Sequence, residues 1–215
     1  MKRVLISIQP KWCELIASGK KTVEVRKTKP KLEPPFKCYI YCTNKKPYLV
    51  WGDVFDGGSF NNEFTHLSGY NRKAAEEIWE LFNGKVMGEF VCNEIKDMID
   101  VERAPTCLSI EEWLKYTDGH KGTVWGWHIS DLVIYDTPKP LSHFYKCGAL
   151  THEELDETLC VYCSQTDYGK HRATGTPNGV WMCEGRWCGD AYQEYLDEEF
   201  ALTRPPQSWC YVEEV

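Results

Sequence analysis

The 215-residue chain is 42% hydrophobic and 27% charged, with a net charge of −7. That is the composition of a folded globular protein of one large domain or two small ones, and it excludes a protein that coats nucleic acid through bulk positive charge. No apolar run approaches the ~18 residues a membrane span needs, and the N-terminus lacks a signal-peptide apolar region, so a non-membrane, cytoplasmic protein is expected.

Residues 3–8 read as a buried strand rich in β-branched residues, closed by Gln9 and Pro10. Pro10 is suited to open a helix through Ser18, with Trp12, Leu15 and Ile16 on its apolar face and Gly19 in the left-handed position that ends it. From Thr22 the pattern changes to alternation. Val23 and Val25 share the core face of a strand, while Glu24 and Arg26 fall on the other. An exposed, proline-rich connection from Lys27 to Pro35 leads to a strand over 36–43, in which Cys38 and Cys42 pack as small apolar side chains.

Residues 44–84 read as an insertion between strands: a short strand at 48–51, a turn at Asp56-Gly57-Gly58, a loop around Asn61, and a helix from Asn71 to Phe82. A long or bent strand is expected over 86–99. A helix follows from the capping box Ser109–Glu112 to near Gly119, then a strand over 123–135 closed by Asp136-Thr137-Pro138, and a last strand at 208–212. Several short strands with few helices favour an α+β fold built on a small mixed barrel over a doubly wound sheet.

Charge is unevenly placed. Residues 1–50 hold 12 Lys or Arg against 3 Asp or Glu, whereas the remainder holds 13 against 29. A basic N-terminal third on an acidic body suits an anionic ligand bound at one place, and equally a solvated lysine-rich face. The densest cationic stretch is Lys20, Lys21, Glu24 and Arg26. An arginine is better suited to holding a phosphate or carboxylate than to transferring protons. These four residues are therefore the candidate ligand-binding set, with Glu24 orienting Lys21 or Arg26. A Glu24–Arg26 or Glu24–Lys pair that braces a hairpin is the competing reading, and catalysis by Lys21 with Glu24 is the third. Trp12, Trp51, Trp125, Trp127 and Tyr41 are possible stacking surfaces for a base, although aromatic residues of this size are more often core. His128 reads as a hydrogen-bonded core histidine.

The pattern Gly19-x-Lys21-x-x-Glu24-x-Arg26, between the first helix and the second strand, resembles the signature of the ASCH domain family. The similarity extends over the strand after Gly84, the strand through Trp127 and His128, and the closing segment from Arg204. It implies a PUA-like mixed β-barrel with flanking helices, formed by residues 1–146 and 201–215, and a ligand of RNA or nucleotide type in a cleft beside the signature. Some small bacterial members of that family are amidohydrolases acting on N4-acetylcytidine through a lysine, a threonine and a glutamate. The resemblance puts Lys21 at that lysine's position and Glu24 where the hydrolases carry threonine. Hydrolysis of a modified nucleoside or of RNA is thus the enzyme alternative, with Lys21 and Glu24 as its catalytic candidates.

Eleven cysteines in a chain without an export signal point to free thiols and metal ligation, not to a disulfide framework. Residues 147–200 form a second, cysteine-rich insertion. Within 151–200 there are 11 Asp or Glu against 3 Lys or Arg. Cys160 and Cys163 have knuckle spacing, and Cys183 and Cys188 supply a second pair, with a glycine-rich hairpin between the pairs and a helix from Gly189 to Phe200 after them. This order is like that of a zinc ribbon or treble clef, and four thiolates would hold a structural zinc. Cys147, His152 and His171 are possible substitute ligands. The acidity of this insertion suits a protein partner better than a phosphate, so a protein-interaction module is the remaining functional alternative.

Overall fold

A computed structural model describes residues 3–56, 59–99, 102–149, 171–172, 181–182, 193 and 196–213. The chain divides into a larger unit, Arg3–Leu141 with Arg204–Cys210, and a smaller one built around Ser142–Thr203 and the C-terminal residues from Tyr211.

The larger unit is built on a large open mixed sheet. Its strands are β1 (Arg3–Ile8), β2 (Val23–Arg26), β3 (Phe36–Cys42), β6 (Lys85–Asp97) and β7 (Trp125–Pro140), in the order β2–β7–β6–β3–β1. β1 and β3 run parallel, with Val4 opposite Cys38 and Ile8 opposite Cys42; the other pairs are antiparallel. Strands in a parallel pair are covered on both faces. Accordingly Val4, Leu5, Ile6 and Ile8 are all buried, and so are Tyr39 and Tyr41 beside Cys38, Ile40 and Cys42. The alternation of Cys38, Ile40 and Cys42 with Lys37, Tyr39 and Tyr41 along β3 therefore marks no exposed face.

Helix α1 (Pro10–Ala17) has Pro10 at its first position, and Cys13 and Ile16 against the core. Gly19 adopts φ +71° and donates its N–H to the Ile16 carbonyl, while Lys21 N–H returns to the Leu15 carbonyl. The left-handed glycine thus turns the chain sharply into β2. Helix α3 (Ile110–Thr117) begins at the expected capping box, with the Ser109 hydroxyl accepting from Glu112 N–H and the Glu112 carboxylate accepting from Ser109 N–H.

Residues 48–67 differ most from expectation. They form a long hairpin of β4 (Tyr48–Asp56) and β5 (Ser59–Leu67), so the Asn61 region is strand and not loop. Cross-strand apolar pairs such as Tyr48–Leu67 and Trp51–Phe64 outweigh the turn-like composition of the middle. Helix α2 is confined to Arg72–Glu76, capped by the Asn71 side chain. The chain leaves it early because Phe82 N–H pairs with the Leu49 carbonyl and Leu81 bridges to Val50. β7 runs on through Asp136-Thr137-Pro138 instead of ending there, by bulging opposite Val86 and Gly88.

In the smaller unit, β8 (Tyr145–Lys146) pairs with the end of β11 (Trp209–Glu213). β9 (His171–Arg172) and β10 (Trp181–Met182) pair antiparallel, as the expected hairpin requires. The Tyr145 hydroxyl donates to Asp197, and the Gln193 amide donates to both. Of the helix expected from Gly189 to Phe200, the described part is helical Gln193 and a π-type turn at Leu196–Phe200. No helix among the described residues is long and apolar enough to cross a membrane.

Candidate functional site

Gly19 and β2 deliver Lys21, Glu24 and Arg26 to one place, but not to solvent. Lys21 is 2%, Glu24 6% and Arg26 8% exposed. All four residues of β2 are buried, so the face opposite Val23 and Val25 is an interior polar face. Glu24 is its centre. One carboxylate oxygen accepts from Arg26 Nη2 at 2.9 Å, and the other faces Lys21 Nζ at 3.4 Å.

Each cation is also held by backbone. Lys21 Nζ donates to the Val23 carbonyl at 2.8 Å and to the Thr106 carbonyl at 2.7 Å. Thr106 closes a 3-10 turn, Ala104–Thr106, that also accepts Thr22 N–H at the Pro105 carbonyl. Arg26 Nη2 donates to the Ser7 carbonyl at 2.7 Å, and Nη1 lies 3.4 Å from the Ser208 hydroxyl. Ser7 is itself tied to the closing segment through its N–H to the Ser208 carbonyl and its hydroxyl to the Pro206 carbonyl. Arg26 thereby spans from β2 to β1 and to the chain's last segment. The Val25 carbonyl accepts from the Tyr116 hydroxyl, so side chains occupy backbone acceptors of a strand at the sheet's edge. Lys21 Nζ thus has two carbonyl acceptors and, at 3.4 Å, the Glu24 carboxylate as its ion-pair partner. The ammonium is fixed as a strut.

This polar face lines a cavity of about 520 Å³, within the range of small-ligand sites. Among the described residues its charged lining is Lys21, Arg26, Lys27 and Lys45 against Glu24. Trp12 and Tyr116 also line it. The ammonium groups of Lys11 and Lys21 lie 4.4 and 5.2 Å from the Trp12 ring centroid, and that of Lys27 lies 5.1 Å from the Tyr116 ring. Burial pushes the Tyr116 hydroxyl above the usual phenol range, opposed by Arg26 and assisted by Glu24. Thr43 and Lys45 enter from the turn after β3. There the buried Asn83 amide donates to the Lys45 and Pro47 carbonyls and accepts Leu49 N–H. Two buried polar atoms of lining residues, Arg26 Nε and Thr43 Oγ, have no hydrogen-bond partner among the described residues.

Of the four residues expected to bind ligand, Lys21, Glu24 and Arg26 converge. Lys20 is exposed and does not line the cavity; its carbonyl accepts from the Cys107 thiol. Adjacent residues after a helix end point in different directions, and only Lys21 turns inward. Among the aromatic candidates Trp12 reaches the cavity. Trp127 and Tyr41 are core, Trp125 lies under the Lys29 ammonium, and Trp51 belongs to the hairpin. His128 is not the hydrogen-bonded histidine expected: its Nε2 is buried without a hydrogen-bond partner among the described residues.

The reading of the sequence missed Lys27, Thr43, Lys45, Tyr116, Gln207 and Ser208. The one available signal was the basic pair Lys45-Lys46 directly after a buried strand. Cys160, Cys163, Cys183 and Cys188 lie outside the described residues. Among those described, no cluster of three or more His, Cys, Asp or Glu is placed to hold a metal.

Comparison with known proteins gives one family. No curated protein matches the chain. Three crystal structures of an ASCH protein from Zymomonas mobilis are similar in fold. Two are single-residue variants, at 15% identity, TM-score 0.39 and coverage of 93% of this chain and 99% of that one, and at 16%, 0.42, 92% and 96%. The third is the ASCH protein itself, at 15%, 0.38, 92% and 95%. Residues 6–121 match the sequence profile of the ASCH domain, more than half of the chain and inclusive of the cavity's signature. The chain belongs to the ASCH domain family.

Proposed function

We propose that the larger unit binds an RNA or nucleotide-like ligand in the cavity beside Lys21, Glu24 and Arg26. The observation that carries this reading is the lining itself: four cationic side chains against one carboxylate, next to two aromatic rings. An anionic group answers the charge, and a flat base answers Trp12 and Tyr116, at ~1–3 kcal/mol per stacked base. Within the set, Lys21 and Glu24 act as the frame. Lys27 and Lys45 are the cations not tied into it, and they meet the ligand. The span of Arg26 from β2 to β1 supports reading the sheet as curving toward the PUA-like barrel expected of the family.

The hydrolase alternative would need Lys21 as nucleophile or base, whereas its Nζ is buried and committed to two backbone carbonyls and to the Glu24 carboxylate. Binding is accordingly favoured over catalysis. We further propose that Cys160, Cys163, Cys183 and Cys188 hold a structural zinc in the acidic segment, on the strength of their spacing and of the β9–β10 pairing between the two pairs.

Titration of short single-stranded RNA and nucleoside monophosphates against the parent, Lys27→Ala and Lys45→Ala tests the ligand assignment. Each substitution is expected to weaken binding and to lower the slope of log affinity on log salt by about 0.7. Equal affinity and slope in all three proteins would remove the cavity from consideration.

A further inference from the structure

Away from the cationic cavity, the larger unit holds a second concavity of about 320 Å³, lined chiefly by Trp51, Phe64, Phe82, Ile134, Tyr135 and Asp136. Trp51 and Phe64 oppose each other across the β4–β5 hairpin. Their rings meet at 4.8 Å and 67°, and Phe64 meets Phe82 at 5.0 Å and 76°. Rings set at such steep angles make a corner, not a stack, and turn faces as well as edges toward a shared space. Phe82 is buried and forms the base of this corner. Trp51 remains 47% exposed, although it belongs to an aromatic cluster.

The opposite wall comes from the bulge of β7 between Ile134 and Lys139, a place where side chains are re-aimed. Tyr135 is already engaged: its hydroxyl donates to Glu89 at 2.7 Å and its ring carries the Lys139 ammonium at 4.4 Å. Asp136 is exposed, and among the described lining residues it is the one that carries a charge. Among the described residues the lining therefore presents aromatic rings and one carboxylate and no cation, with the Lys139 ammonium beside it on the Tyr135 ring.

A weakly hydrated organic cation matches all of these features. Anions are disfavoured by Asp136, a neutral apolar group gains nothing from it, and a small inorganic cation loses too much hydration against rings. We propose that this pocket binds a methylated ammonium group, whether of a free quaternary amine or of a methylated lysine side chain. The proposal is independent of the ligand of the cationic cavity.

Calorimetric titration of the full chain tests it, using choline, tetramethylammonium, a trimethyl-lysine peptide and dimethylbutanol, the neutral carbon isostere of choline. Saturable binding of the ammonium compounds is expected, with the isostere at least about tenfold weaker. Trp51→Ala should abolish binding, and Asp136→Asn should weaken it several-fold. The half-exposed position of Trp51 lets the first variant fold, which an unchanged melting temperature would verify, and the second preserves shape in any case. A peptide that binds more tightly than choline identifies a partner's side chain as the source, and equal affinity identifies a free amine. Equal binding of choline and its isostere, unchanged affinity in both variants, or no binding of any ammonium probe overturns the proposal.

Discussion

Replacing Glu24 by glutamine separates the frame from the ligand. The carboxylate holds Arg26 at 2.9 Å and Lys21 at 3.4 Å, with all three side chains at most one-tenth exposed. Glutamine keeps the shape and one acceptor oxygen, but it removes the charge and turns an NH₂ group toward one of the two cations. Two buried cations then lose their shared counter-ion, and breaking a buried pair from one side costs about 3–5 kcal/mol. At ~2–4 °C per kcal/mol for a chain of this size, the melting temperature should fall by roughly 6–20 °C. The same substitution removes the only carboxylate among the described lining residues and so raises the cavity's cationic excess. An anionic ligand should bind Glu24→Gln more tightly than the parent and raise its melting temperature by more. Thermal melting of both proteins with and without a nucleoside monophosphate, at low and high salt, reads both effects. An unchanged melting temperature together with lost binding would refute the reasoning, because Glu24 would then be contacting ligand and not bracing the site.

Three further outcomes are expected. Burial pushes the Glu89 carboxyl upward, but hydrogen bonds from Lys37 and Tyr135, with the charges of Lys37 and Lys139, outweigh it and hold the group below the ordinary carboxylate range. A depressed folded-state value means stability that is present at neutral pH and lost as pH falls through that value. Glu89→Gln should therefore cost ~1 kcal/mol in urea unfolding at neutral pH, with the gap from the parent closing in acid; a gap that widens in acid would contradict this. Burial likewise pushes the Cys13 and Cys38 thiols well above their usual range and that of Cys92 to about 12. Since the thiolate is the reactive form, mass spectrometry should find these three unmodified by iodoacetamide in the native protein and modified in urea, and native labelling of any of them would count against a packed core there. Elemental analysis should find near-stoichiometric zinc, whose removal by a chelator exposes residues 147–200 to protease; a metal-free protein with titratable Cys160, Cys163, Cys183 and Cys188 would end the zinc proposal.

What could be read from the sequence was local chemistry. Pro10 and Gly19 mark the bounds of α1 because each acts through its own backbone, and the capping box at Ser109 works the same way. The convergence of Lys21, Glu24 and Arg26 was legible because a single turn and strand carry all three. Their burial was not, since it depends on Ser7, Thr106 and Ser208, up to 182 residues away in the chain. The same holds for Lys45 and Tyr116, which a strand end and a helix bring to the cavity from opposite sides of the β4–β5 hairpin in sequence. The first strand of that hairpin was legible at 48–51, but the stretch around Asn61 was read as loop because pairing, not composition, makes it a strand; α2 was overextended because its apolar periodicity continues into residues that bond to Leu49 and Val50 instead.

A crystal structure of the chain soaked with a nucleoside monophosphate tests the central claim most directly. The account predicts the ligand in the cavity beside β2, its base against Trp12 or Tyr116 and its phosphate within reach of Lys27 and Lys45, with the Lys21–Glu24–Arg26 contacts unbroken. Ligand bound elsewhere, or ligand bound to Lys21 after its release from Thr106 and Glu24, would contradict it.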